Sequence, residues 1–226
     1  MSQGASFPED DPVRVLVVDD HDLLAESLVV FLRSDGFAAQ RVPTLTATAI
    51  LEVTTAFQPR VVLLDLHLDH GLLGTTLIAP LRAAGASVVV MTAERDRARW
   101  GACIAAGALS VVSKSDPLER LVDGVREAIE LRSLMTPAQR DSLLSELHDQ
   151  RAKQAERRAV FAPLTTRERA VLAGLMDGKT ADELAGEHVV SVATVRSQIH
   201  SVLSKLGVRS QIGAVALARR LDWRDD

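Results

Sequence analysis

Three carboxylates, a hydroxyl and an ammonium recur at one kind of place in this 226-residue chain: Asp19-Asp20, Asp65, Thr92 and Lys114 each close a short apolar run. Carboxylates brought close together repel and hold their protons more tightly unless a cation intervenes. A hard divalent ion with oxygen ligands, Mg²⁺ foremost, removes that conflict. One carboxylate can then attack a phosphoryl group as a nucleophile, with the metal and the lysine stabilising the oxygens. Taken singly, each residue reads as a helix cap or a loop polar group, and only their joint arrangement argues for a site.

The elements that would bring them together can be read from the apolar pattern. Val13–Val18 is β-branched and short, which favours a buried strand, and further runs lie at Ala38–Val42, Val61–Leu64, Ser87–Met91 and Leu109–Val112. Between them the period turns helical, at 21–34, where Leu24, Leu28, Phe31 and Leu32 share a face, and at about 45–56, 74–84, 95–106 and 117–133. Such alternation makes parallel strands joined by right-handed crossovers, an α/β doubly wound five-stranded sheet. Ligands in these sheets bind outside the carboxyl ends of the strands. All five residues stand there.

At these residues the chain resembles the receiver domain of two-component response regulators. Val-Val-Asp19-Asp20, Val-Leu-Leu-Asp65-Leu-His-Leu, Val-Met-Thr92-Ala93 and Ser-Lys114 carry the likeness, over roughly residues 13–132. The resemblance implies a flavodoxin-like sheet of order 2-1-3-4-5, with Asp65 as phosphoacceptor. It implies Mg²⁺ bound by Asp19, Asp20, Asp65 and the backbone carbonyl of His67, and Thr92 and Lys114 contacting the acyl phosphate. Three departures stand out. Asp69 replaces the family's proline four residues after the phosphoacceptor, and the glycine expected at 73 comes one later, at Gly74. Val111 replaces the switch aromatic three residues before the lysine, so the usual coupling of Thr92 to an inward-turning aromatic cannot operate in its common form.

Composition excludes several classes. One cysteine, Cys103, rules out an intramolecular disulfide framework and argues against a cysteine zinc site. No apolar run approaches the ~18–20 residues a bilayer span needs. The start, through Pro12, is acidic and lacks a signal-peptide pattern, so a disordered leader and a cytoplasmic setting are expected. His67-Leu-Asp69-His70 lacks the helical histidine spacing and a distant third ligand of a transition-metal site. Trp100 and Cys103, on the fourth helix, read as packing or surface residues.

Charge divides the chain: residues 1–157 hold 16 Lys+Arg against 22 Asp+Glu, residues 158–226 hold 10 against 8. An acidic front and a mildly basic tail suggest two modules with different partners. Residues 138–159 hold no Gly or Pro and few apolar residues beyond Leu143, Leu144 and Leu147, the pattern of a linker helix too short in apolar seam to assert a coiled coil. From Ala162 the pattern is all helical: a threonine-capped start at Leu164–Glu168, a stop at Gly178, a short helix over 180–187, a third from Ser191 to about Lys205, and a fourth over Ser210–Leu221. Gly178-Lys179-Thr180 is no phosphate loop, because its glycine spacing is wrong and no strand precedes it. A short helix, a turn and a longer polar-faced helix describe a helix-turn-helix.

Leu-Thr-Thr-Arg-Glu-Arg-Ala-Val-Leu172, Ser191-Val-Ala-Thr194-Val195-Arg196 and Lys205-Leu-Gly-Val208 resemble the LuxR-type DNA-binding domain over about 162–222. That resemblance places the 191–205 helix in the major groove, with Arg196, Ser197 and His200 facing bases and Thr194, Lys205 and Ser210 on phosphates. Arginine at such a position suits bidentate contact to guanine. The tail's small charge excess implies modest affinity per monomer, hence a homodimer on paired half-sites.

A receiver joined to a LuxR-type tail resembles the NarL/FixJ-type response regulators. The expected organisation is a leader over 1–12, a receiver over 13–132, a helical linker over 133–160 and a helix-turn-helix domain over 161–226. The expected function is transcriptional control through promoter DNA, with a sensor histidine kinase phosphorylating Asp65 and no membrane partner. The alternatives are a receiver-like module switched by a partner protein or ligand, and, more remotely, a phosphatase with Asp65 as nucleophile.

Overall fold

Valines and leucines in the strands alternate between two apolar layers, and that alternation builds the front half of the molecule. The computed structural model describes residues 12–44, 46–68 and 71–224; the expected leader, Asp69 and His70 lie outside or largely outside these. Five strands, β1 (Arg14–Val18), β2 (Ala38–Arg41), β3 (Val61–Asp65), β4 (Ser87–Thr92) and β5 (Ser110–Ser113), form one parallel sheet in the order β2-β1-β3-β4-β5. Register is fixed by the period of two, because a one-residue slip would exchange the buried layers. Val15 pairs with Val61, Val61 with Ser87, and Val89 with Ser110.

Five helices accompany the strands: α1 (Asp22–Ser34), α2 (Ala47–Phe57), α3 (Thr75–Ala83), α4 (Arg97–Ala105) and α5 (Leu118–Ile129). Val15, Val17, Leu63, Val89 and Met91 pack with α1 and α5 residues such as Leu28, Leu32, Leu121 and Val125. Leu16, Val18, Val62, Leu64, Val88 and Val90 pack on the other face with Ile50, Ile78, Leu81 and Ile104 from α2, α3 and α4. Each such side chain, fully buried, contributes about 1.5–3 kcal/mol.

The long helix α6 (Pro137–Ala159) is continuous, but the chain divides into compact units at His148/Asp149. The expected linker is therefore split. Leu143 and Leu147 are buried in the front unit, Leu144 packs on the same cluster, and the charged remainder of α6 belongs to the second unit. The three leucines that hinted at a coiled coil are used against the receiver-like sheet's helical layer.

The second unit holds α7 (Thr166–Met176), α8 (Ala181–His188), α9 (Val192–Lys205) and α10 (Gln211–Arg220). Thr165 and Thr180 cap α7 and α8 with reciprocal bonds to Glu168 and Glu183, and Ser191 and Ser210 cap α9 and α10. Val195, Ile199 and Val202 bury one stripe of α9 against Val171, Leu172, Leu175 and Leu184. Gly178 (φ 83°) makes the turn between α7 and α8, where Lys179 pairs with Glu187 at 2.8 Å. Among the described residues no helix is long and apolar enough to cross a membrane.

Candidate functional site

Because the strands are parallel, their carboxyl ends share one edge, and Asp65 at the end of β3 meets Asp19 and Lys114, the residues just beyond β1 and β5. Lys114 Nζ lies 2.7 Å from Asp65 Oδ2 and 2.7 Å from Asp19 Oδ2. Its own backbone N–H donates to the carbonyl of Thr92 at 2.8 Å, which ties the lysine to the end of β4. Asp19 and Asp65 are buried, and Asp20 is largely so. Burial pushes the Asp65 carboxyl above its ordinary range; donation from Lys114 opposes this, while the neighbouring Asp19 charge adds to it.

Asp19, Asp20, His21 and Asp65 offer ligand atoms all within 4.8 Å of one another. Asp19 Oδ2 and Asp20 Oδ1 are buried oxygens that accept no hydrogen bond, although Lys114 and His21 stand within ion-pair range of them. Three carboxylates crowded this closely repel one another, and an oxygen-rich set of this kind suits a hard divalent cation. The residues present fit one.

His21 is a member that the sequence reading did not single out. Its Nδ1 lies 2.7 Å from Asp20 Oδ1 and 3.2 Å from Asp19 Oδ1, and its backbone N–H donates to Asp19 Oδ1 at 2.8 Å. Its only signal was adjacency to the aspartate pair. His67 donates its backbone N–H to Asp65 Oδ1 at 3.3 Å, while its ring turns away to Arg99 and Glu94. Thr92 is fully buried at the end of β4, and its Oγ1 accepts from the Glu94 N–H at 3.0 Å.

The displaced glycine has a physical reason. The loop after β3 closes through a bridge between His67 and Leu73, and the Gly74 N–H donates to the Leu66 carbonyl at 2.8 Å. A Cβ on Gly74 would lie 2.1 Å from the Asp65 carbonyl oxygen, so no other residue permits that approach. Val111 is buried in the strand layer beside α4. Cys103 is buried too, and burial pushes its thiol up to about 12. That leaves it inert.

In the second unit the exposed stripe of α9 carries Arg196, Ser197 and His200, opposite buried Val195, Ile199 and Val202. Thr194 bonds Ser191 at 2.8 Å near the start of that helix, and Ser210 accepts from Gly213 N–H at 3.1 Å as the cap of α10. Lys205, expected on a phosphate, has its Nζ 2.6 and 2.9 Å from the two Glu168 oxygens. Burial would raise the Glu168 carboxyl, but donation from Lys205, Ser201 and Thr165 outweighs it and holds the group at about 2. Sequence reading saw Glu168 only as a first-turn glutamate; it is the buried anchor that fixes α9 to α7.

The family model "Response regulator receiver domain" matches residues 15–126, and "Bacterial regulatory proteins, luxR family" matches residues 162–218. The chain is 29% identical to the "Probable transcriptional regulatory protein NarL" of Mycobacterium tuberculosis, over 95% of this chain and 97% of that one. It is 27% identical to the nitrate/nitrite response regulator protein NarP of Escherichia coli, over 93% and 96%. A solved structure of a LuxR-family two-component response regulator from Aurantimonas sp. SI85-9A1 shares the fold at 23% identity and a TM-score of 0.50, covering 63% of this chain and 99% of that one. An acidic pocket on a parallel sheet edge, a helix-turn-helix with an exposed polar helix face, and both family models in that order lead to one assignment: the chain belongs to the NarL/FixJ-type response regulators, the DNA-binding transcriptional regulators of two-component systems.

Proposed function

We propose that Asp65 accepts a phosphoryl group from a partner histidine kinase and that its charge state controls dimerisation and promoter binding. The observation that carries this is Lys114 held at 2.7 Å from both Asp65 and Asp19, beside carboxylate oxygens that accept no hydrogen bond. In the reaction an Asp65 oxygen attacks the phosphorus of the kinase's phosphohistidine, the P–N bond breaks, and the imidazole nitrogen takes up a proton. Lys114 remains against the carboxylate and balances the incoming negative charge. Thr92, whose hydroxyl is the one polar side-chain group at the end of β4, donates to a phosphoryl oxygen. Asp19, Asp20, Asp65 and the His67 carbonyl would hold Mg²⁺, which supplies charge neutralisation when bound.

Phosphorylation turns a carboxylate of about −1 into an acyl phosphate of about −2, so roughly one further negative charge enters a buried carboxylate cluster, which is the driving force for rearrangement. In the second unit, Arg196, Ser197 and His200 would read bases in the major groove, with Thr194 and Ser210 on phosphates. Lys205 serves chiefly to hold α9 through Glu168, and it reaches the backbone only if that pair opens. A second reading, switching by a partner protein or ligand without phosphorylation, is favoured by one observation: Val111 is small and buried where the family's switch aromatic stands.

The experiment is Mg²⁺-dependent labelling with a small phosphodonor on the wild type and on Asp65→Asn, followed by sizing and DNA-binding assays. Label lost in the variant, with dimerisation or tighter DNA binding in the wild type, supports the phosphorylation switch. An unlabelled wild type that still binds DNA favours the second reading.

A further inference from the structure

The front unit lacks the aromatic its strand β5 would ordinarily carry, yet it has a large aromatic beside the same place. Trp100, on α4, packs on the cluster that contains Val111 and Leu143. Trp100, Val111, Leu134, Met135, Gln139 and Leu143 line a small cavity of about 130 Å³ between α4, β5 and the start of α6. The indole Nε1 donates to the Glu94 carbonyl at 3.0 Å. Glu94 is the residue whose backbone N–H binds the Thr92 hydroxyl oxygen, also at 3.0 Å. Two hydrogen bonds therefore connect Thr92, at the acidic site, to Trp100, at the cavity.

The first half of α6 is held on this same helix α4. Arg97 Nε donates to both Glu146 oxygens at 2.7 and 2.9 Å, and Arg97 Nη2 donates to Ser142 Oγ at 3.1 Å. The two helices touch backbone to backbone at Gly101, where a Cβ would lie 2.2 Å from the Leu143 carbonyl oxygen and 3.0 Å from the Leu147 Cβ. Helix α4 thus carries, within about one turn from Arg97 to Gly101, both the tether to the acidic site and the seat of α6.

We infer that Trp100 takes the place of the missing switch aromatic and couples phosphorylation of Asp65 to the release of α6 from α4. This rests on the phosphorylation proposed above. When Thr92 donates to a phosphoryl oxygen and follows it, the bond from the Glu94 N–H is lost and the β4–α4 loop shifts. The Glu94 carbonyl moves with that loop, so the indole loses its acceptor and turns into the cavity lined by Val111, which a bulkier residue at 111 would fill. The indole then presses on Leu143 and Met135, and the seat of α6 opens. Trp100 acts here as a positioning residue, through Leu143, and not on the phosphoryl group.

The chain has two tryptophans and no tyrosine, so Trp223→Phe leaves Trp100 as the reporter. Emission from Trp100 and label on Asp65 are followed together as Mg²⁺ and a small phosphodonor are added. Hydrogen exchange over residues 139–147 of the unsubstituted chain, under the same conditions, needs no variant at all. The expected result is label, a changed Trp100 emission, and loss of protection over 139–147 by about tenfold or more. Gly101→Ala improves the helix propensity of α4 while removing the seat, so its α6 should exchange fast without phosphodonor and respond no further. Label with unchanged emission and unchanged α6 protection overturns the coupling and leaves the phosphorylation reading intact. Absence of label overturns both.

Discussion

Lys114 is the residue on which the acidic site balances, since it is the only lysine or arginine within ion-pair distance of Asp19 and Asp65 among the described residues. Lys114→Met leaves two buried carboxylates without their shared cation, and breaking such a pair costs about 3–5 kcal/mol. Thermal unfolding should show that loss in metal-free buffer, with partial recovery when Mg²⁺ is added. Asp65→Asn works in the opposite direction. Burial raises the Asp65 carboxyl in the folded state, so ionising it there is harder than in the unfolded chain. The group's contribution is therefore most favourable below the ordinary aspartate range and is lost as pH rises through the raised folded value. Asp65→Asn should then raise the melting temperature at pH 7 in metal-free buffer, and this gain should shrink as pH falls toward 4. Of this site, the aspartates, threonine and lysine were legible in the sequence because each ends an apolar run. His21 was not, because a lone histidine after a strand carries no periodic signal.

Both units rest on buried apolar clusters, and the second adds reciprocal helix caps and one buried ion pair between α7 and α9. Glu168 is held at about 2, below its unfolded value, so its stabilising contribution is present above about pH 4.5 and is lost as pH falls from there through about 2. Glu168→Gln should lower stability at neutral pH by roughly 2 kcal/mol, and the difference from wild type should vanish in that acid window. Trp223, which packs on Phe161 in the same unit at 5.5 Å between ring centroids, reports the unfolding by fluorescence. Thr180→Ala removes the cap and half of the capping box of α8 and should cost about 1 kcal/mol in denaturant titration, with an unchanged slope. Element types and most boundaries were readable from the period of two in the strands and from the caps in the helices. The helix α6 was readable too, but the packing of its first half was not, because Leu143 and Leu147 on an otherwise polar helix do not say what they pack against.

At the scale of the molecule, an acidic receiver unit and a weakly basic helical unit divide the work of sensing and binding. The helical unit's small charge excess implies few phosphate contacts per copy, so DNA affinity should depend on both dimerisation and base readout. Arg196→Ala should lower affinity for a cognate promoter fragment by about 1–3 kcal/mol and relax its sequence preference. Thr194→Ala should weaken binding nearly equally across sequences. Filter or anisotropy titrations on a cognate and a scrambled duplex separate the two.

By itself the sequence determined the architecture of this regulator: strand and helix periods are local properties, and the acidic, hydroxyl and basic residues fall where those periods end. It determined the sheet order only through the family likeness, since strand order depends on crossovers that no local pattern records. The tertiary structure alone decided which groups meet. Lys114 reaches both Asp19 and Asp65 because β1 and β3 are neighbours in the sheet, and Gly74 is required because the loop folds back onto the Asp65 carbonyl. Lys205 turns inward to a glutamate 37 residues earlier in the chain, and Gly101 admits the backbone of α6. Contacts of this kind join residues far apart in the chain, and their energies appear only once burial has removed water from between them.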